Sequence, residues 1–203
     1  MKPTPSYSLN ASLLPHRFSV QTTLLLSSLF GLLCTTTTYI RIPLPWTPVP
    51  IAVQPLGALL AALFFGARYG CMSQLVYLAA LPCSVYAGYQ PLYGPLCGYL
   101  IGMPLSSYLF GRMLTHIHLR SSLYKGASRT RFALTVLAAS ATICFIYILG
   151  SLGLLMWNYS HAHPLPSFIH LLTQSTLPFI AGDIIKVCIV SLAATHLLLR
   201  KLS

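Results

Sequence analysis

Long apolar runs, separated by short polar or proline-rich breaks, organise this chain. The first run extends from Val20 to Ile40, and about 17–25 apolar residues suffice for a helix to cross a bilayer. Next comes "RIPLPWTPVPI", whose four prolines exclude a regular helix, because each removes an amide donor and crowds the preceding turn. Val53–Phe65 and Tyr69–Leu81 are apolar but short, with Arg68 between them. A second proline- and glycine-rich loop, "PCSVYAGYQPLYGP", precedes an apolar segment from Leu96 to Phe110. The stretch from Arg112 to Arg131 is polar and basic. Two further apolar segments, Phe132–Trp157 and about His170–Leu199, flank "NYSHAHPLPS". This pattern predicts an all-α integral membrane protein with about six transmembrane helices in one bundle. A polar segment, 1–19, precedes a single helical domain, 20–200. Strands of a membrane barrel would alternate apolar and polar positions, and these runs do not.

Charge sharpens the picture. Only 6% of residues are charged, against about 25% in a typical soluble domain, so the chain could not cover a water-facing surface. The formal net charge of +11 is explained by topology. With six helices, Lys2, Arg17, Arg68, Arg112, Arg120, Lys125, Arg129, Arg131, Arg200 and Lys201 fall on one side, ten of the twelve basic residues. Cytoplasmic loops collect Lys and Arg in this way. Both termini are therefore expected in the cytoplasm, with the proline-rich loop outside, in a multi-pass protein of the bacterial cytoplasmic (inner) membrane. Nucleic-acid binding is not expected, because the cations are scattered between apolar spans and not gathered on one face. The six cysteines occur singly, without CxxC pairs, and signal neither zinc nor a disulfide framework. His161 and His163 lack acidic or Cys co-ligands and read as solvated, so no metal site is expected. The N-terminal stretch lacks a signal-peptide layout.

The chemistry concentrates on one residue. Asp183 in "LPFIAGDIIKVCIV" is the only carboxylate side chain in the sequence, and Lys186 follows one helical turn later. A charge at mid-membrane costs upward of about 2.5–3.5 kcal/mol, so it faces a partner or a polar cavity. Positions i and i+3 share a helical face. The pair either neutralises itself and pins helix packing, or lines a pocket for a solute entering from outside. Arg41, the only fixed charge on the outer loops, and Gln54, where the loop becomes a helix, could share that pocket. Trp46, Tyr39, Tyr86 and Tyr99 could wall it. Catalysis is disfavoured: the sequence contains no GxxxxGKS/T loop, no HExxH and no second carboxylate for an acid–base pair. Ser27-xxx-Gly31 forms a small-residue stripe that lets another helix approach closely, either a partner's or one of the same bundle.

Three blocks carry a resemblance. "RIPLPWTPVPIAVQ" followed by "GARYG" (Gly66 to Gly70), then "YGPLCGYLIG", then "LPFIAGDIIKV" resemble, in order, the family of biotin-specific substrate-binding subunits (BioY, the S component) of energy-coupling-factor transporters. Trp46, Ala52, Leu96, Cys97 and Ala181 depart from the family pattern, and the loop from Gly88 to Tyr93 is shortened. The resemblance implies a six-helix fold that binds biotin from outside without a cofactor. It also implies partnership with a transmembrane coupling (T) subunit and cytoplasmic ATPase subunits. In the family the aspartate and lysine of the last block contact biotin, which transfers to Asp183 and Lys186. A carboxylate suits the two ureido N–H groups, and a cation suits either the ureido carbonyl or the valerate; the sequence leaves that choice open. The expected site is thus Asp183, Lys186, Arg41, Trp46, Gln54 and Tyr99. Two other functions fit the residues: a small-solute carrier driven by an ion gradient through Asp183, and a membrane scaffold in which the pair is structural.

Overall fold

The structure, a computed structural model, describes residues 19–37, 41–44, 47–83, 94, 96–121, 128–161 and 177–200. Helices carry the fold: α1 (Val20–Thr36), α2 (Gln54–Ala80), α3 (Cys97–Ser121), α4 (Ser128–Ser160) and α5 (Leu177–Arg200). Gln54–Ala80, Arg129–Ser160 and Phe179–Leu197 are long and apolar enough to cross a membrane. Ser19 caps α1 by accepting a hydrogen bond from the Thr22 amide at 3.2 Å, satisfying one of the amides left open in a first turn. Two boundaries depart from the apolar pattern. α3 continues through much of the basic stretch to Ser121, and α4 already begins at Ser128. Arg, His and Thr are compatible with helix, so loss of hydropathy there marks the membrane boundary and not the helix end.

The proline-rich segment is a hairpin of β1 (Arg41–Leu44) and β2 (Thr47–Ala52), paired antiparallel with Arg41 opposite Ala52, Ile42 opposite Ile51 and Leu44 opposite Thr47. The register is irregular between Ile42 and Leu44, around Pro43. Amides point alternately to the two edges of a strand, so Pro48 and Pro50 share one edge and leave the other free for pairing. The prolines excluded a helix without announcing strands.

α2 is broken at Gly66, with φ 78° and ψ −179°, a conformation essentially confined to glycine. The two arms fold back on each other. A Cβ on Gly70 would lie 2.8 Å from Ala62 Cα, whereas eight residues of unbroken helix would separate them by about 12 Å. Cys34 of α1 touches both arms: its Sγ would lie 2.9 Å from a Cβ on Gly57 and is 3.8 Å from Gln74 Nε2. The ends of α2 therefore return to the same place beside α1. Its two arms correspond to the two short apolar segments of the sequence.

α2 packs against α1 and α3, α3 against α4, and α5 closes against α4, α2 and β2. The main core joins Leu59, Ala62 and Leu63 of α2 to Phe110 and Leu114 of α3, Ala139 and Ile143 of α4, and Val187, Val190 and Ala194 of α5. Leu25, Leu33, Leu137, Ile148, Ile184, Ile185 and Leu192 remain exposed, as expected of helices whose outer faces meet lipid.

Candidate functional site

On α5 the buried positions are Gly182, Asp183, Lys186, Val187, Val190, Ser191, Ala194 and Thr195, with Ile184, Ile185 and Leu192 exposed. This is helical spacing, so the stripe that packs the core also carries the ion pair inward. Lys186 Nζ donates to Asp183 Oδ1 at 2.6 Å. Asp183 and Lys186 are only 7% and 6% exposed. Tyr147 of α4 donates its hydroxyl to the other carboxylate oxygen, Oδ2. Both oxygens thus have a donor, from two helices.

Two aromatic rings meet Tyr147. Tyr147 meets Tyr99 of α3 edge-on, with ring centroids 6.4 Å apart. Phe179, one turn before Asp183, has its ring centroid 6.3 Å from that of Tyr147. Tyr99 has room because position 150 is glycine: a Cβ there would fall on the Tyr99 ring. Gly98 and Gly153 approach equally closely, a Cβ on Gly153 lying 2.7 Å from Gly98 Cα. Small residues at such crossings bring two helix backbones together inside a membrane. Here they draw α3 onto α4 and set Tyr99 beside Tyr147.

The chemistry of the cluster is that of polar recognition. An ionised carboxylate has about four acceptor positions and an ammonium three donors. One Lys186 donor and one Tyr147 donor leave both groups with further hydrogen-bonding capacity. A ligand offering paired N–H groups beside a carbonyl or carboxylate matches it, and the rings offer apolar walls. No group of three or more His, Cys, Asp or Glu suited to a metal occurs among the described residues.

The expected site residues separate into three groups. Asp183 and Lys186 pair directly, and Tyr99 joins them through Tyr147, whose ring it meets. Gln54 is half-buried at the start of α2, after the strand β2 that lies against α5. The Arg41 backbone opens β1, while its side chain, Trp46, Tyr39, Tyr86, His163 and the segment 88–93 lie outside the described residues. Ser27 and Gly31, expected as a docking stripe for a partner, are corrected: both are buried. A Cβ on Gly31 would collide with the Ser73 carbonyl of α2. Both members of the stripe are covered within the bundle, so it is not open to a partner.

Tyr147 and Phe179 were missed. Phe179 reads as one more apolar residue of its span. Tyr147 carried a weak signal: a hydroxyl inside a long apolar span must find a partner, and the lone acid was the obvious candidate.

Comparison with known proteins bears on this arrangement. A family model described as the BioY family matches residues 10–201. A probable biotin transporter BioY of Bacillus subtilis (strain 168) is 31% identical over 157 residues, 72% of this chain and 73% of the relative. The biotin transporter BioY of Thermotoga maritima is 29% identical over 162 residues, 77% of this chain and 85% of the relative. Among solved structures, the S-component for biotin from an ECF-type ABC transporter superposes with a TM-score of 0.64 at 24% identity, covering 89% of this chain and 92% of that one. The solved structure shares the fold, and the matched family model spans all the described elements: the chain belongs to the BioY family.

Proposed function

We propose that this chain is the high-affinity biotin-binding subunit of a membrane uptake transporter, acting with a transmembrane coupling subunit and cytoplasmic ATPases. The observation that carries the reading is the buried Asp183–Lys186 pair, with Tyr147 on its second oxygen, in a chain of the BioY family. Biotin's ureido ring presents two N–H donors and a carbonyl acceptor. Asp183 receives the former, Lys186 meets the carbonyl or the valerate, and Tyr99, Tyr147 and Phe179 flank the bicycle. Gln54 and, from the hairpin, Arg41 and Trp46 complete the pocket mouth. The chain supplies no ATPase site of its own and needs no cofactor or metal.

The same reading gives six crossings within one domain, 20–200, with the segment 1–19 and both termini cytoplasmic, in the cytoplasmic membrane. The fold-back of α2 supports an even count, because an element whose ends meet beside Cys34 does not exchange sides.

Isothermal titration of the purified chain with biotin tests the proposal. Saturable binding is expected, and it should be lost in the double variant Asp183→Leu/Lys186→Met. A wild-type chain that binds no biotin would favour a scaffold role. Uptake that collapses with the proton gradient, in the absence of any ATPase, would favour the self-driven carrier.

A further inference from the structure

Two arginines meet at the seam between α2 and α3. A Cβ on Gly111 would lie 2.5 Å from Ala67 Cα, and one on Gly70 would lie 2.8 Å from Ser107 Oγ. The returning arm of α2 therefore runs antiparallel to α3, with the two backbones in contact. Arg68 follows the contact residue Ala67, and Arg112 follows Gly111. A step of one residue turns about 100° around a helix, and in antiparallel helices the two steps turn in opposite senses viewed from one end. Both side chains thus leave the seam on the same side. Consecutive Cα atoms are about 3.8 Å apart, so the Arg68 and Arg112 Cα atoms lie within about 12 Å of each other. Two extended arginine side chains can close that gap.

The face on that side is open and apolar. Arg68 is exposed and Arg112 half-buried. Met72 and Leu75 follow Arg68 at helical spacing on α2, and Leu105 and Tyr108 precede Arg112 in the same way on α3; all four are exposed. Arg112 opens the basic stretch just beyond the apolar run that ends at Phe110, and Arg68 stands beside the reversal of α2 at Gly66. Both therefore mark the membrane boundary. Neither guanidinium has a hydrogen bond or ion pair among the described residues. No acidic side chain of the protein can supply one: Asp183, the single carboxylate side chain, is held by Lys186 and Tyr147. About 20 Å of helix also separates Arg112 from Tyr99, which marks the Asp183 end of α3. Two like charges side by side repel, and an anion between them replaces that repulsion with attraction to each.

We propose that the phosphate group of an anionic membrane lipid bridges Arg68 and Arg112, with an acyl chain lying along the α2–α3 seam over Met72, Leu75, Leu105 and Tyr108. A guanidinium matches a phosphate with two parallel N–H···O bonds. Two cations at the end of an exposed apolar face fit a headgroup and its tail together, whereas a free ion or an acidic protein segment would leave the apolar face uncovered. The inference is independent of what the Asp183 site binds.

Native mass spectrometry of the purified chain tests it, with phosphatidylglycerol and phosphatidylcholine of the same acyl chains in competition. The wild type should retain phosphatidylglycerol in preference by on the order of tenfold, the scale of two basic residues facing an anionic headgroup. Arg68→Gln and Arg112→Gln should each lose most of that preference, because they share one phosphate, and the double variant should lose all of it. Arg129→Gln, which removes an exposed cation at the start of α4, should keep it. An equal loss in Arg129→Gln would reduce the effect to diffuse charge and overturn the site. Inorganic phosphate displacing phosphatidylglycerol at matched concentration would overturn the lipid as the ligand. No preference in the wild type would sink the proposal, and loss of co-purifying coupling subunit from the double variant would then assign the seam to that protein. A melting curve beside each measurement checks folding; should the double variant not fold, the two single variants decide.

Discussion

Removing one charge at the Asp183 site and removing both should affect stability in opposite ways. Asp183→Asn leaves Lys186 buried with no anion, and breaking a buried pair in this way costs about 3–5 kcal/mol. A fall in melting temperature is therefore expected whether or not the pair binds a ligand, so this variant alone cannot identify a pocket. The double change Asp183→Leu/Lys186→Met removes both charges at similar volume, which is often neutral or stabilising. It should melt at or above wild type. If the pair is a site, biotin affinity vanishes in the same protein; unchanged affinity would reduce the pair to packing. Tyr147→Phe is milder. It withdraws one hydrogen bond to a charged group, about 1.5–3 kcal/mol, while Lys186 still neutralises the carboxylate. Titration should show biotin affinity reduced by roughly one to two decades in a folded protein. Affinity within twofold of wild type would remove Tyr147 from the site.

Glycines decide how the elements meet, and here the structure explains motifs that were visible only as letters. In "GARYG", Gly66 takes the positive φ that turns α2 back, and Gly70 lets the returning arm close on Ala62. In "GYLIG", Gly98 touches the α4 backbone, whereas Gly102 has space, a Cβ there meeting Ile146 and Leu149 at 3.6 Å. Gly102→Ala should thus change the melting temperature little. Gly98→Ala must push α3 off Leu149 and Gly153, and should lower it markedly. Equal effects would contradict this crossing. Gly31→Leu belongs with the second class: its side chain would enter the Ser73 backbone, so loss of folded protein is expected before any loss of partner binding. The sequence made the apolar segments, the acid–base pair and its helical face legible, because burial periodicity and the cost of intramembrane charge are local properties. It did not reveal which helix supplies the second partner of Asp183, since Tyr147 is 36 residues away. Nor did it reveal the inward turn of Ser27 and Gly31, since a small-residue stripe looks the same facing its own bundle or a stranger's.

For the whole molecule, the arrangement of charge bears on how transport is driven. Ten of the twelve basic residues fall on one side of a six-crossing chain. A five-crossing chain, with α2 as a single span, would put the termini on opposite sides and divide those cations between two compartments. The fold-back at Gly66 favours the even count, so reporter fusions at the two ends should both respond as cytoplasmic; opposite responses would require α2 to cross once. The sequence offers no GxxxxGKS/T loop to hold a nucleotide, and without a phosphate cradle ATP cannot be positioned for hydrolysis. The one intramembrane acid is held by a lysine and a tyrosine. Proton coupling through Asp183 would have to pull it from a 2.6 Å contact with Lys186, leaving the lysine charge buried and unpaired. The pure chain in liposomes should therefore bind biotin without hydrolysing ATP and without accumulating it, with or without an imposed proton gradient. Adding the coupling subunit and ATPases should confer uptake that stops when ATP is withdrawn. Accumulation by the chain alone, abolished by Asp183→Asn and by dissipating the gradient, would identify it as a self-driven carrier.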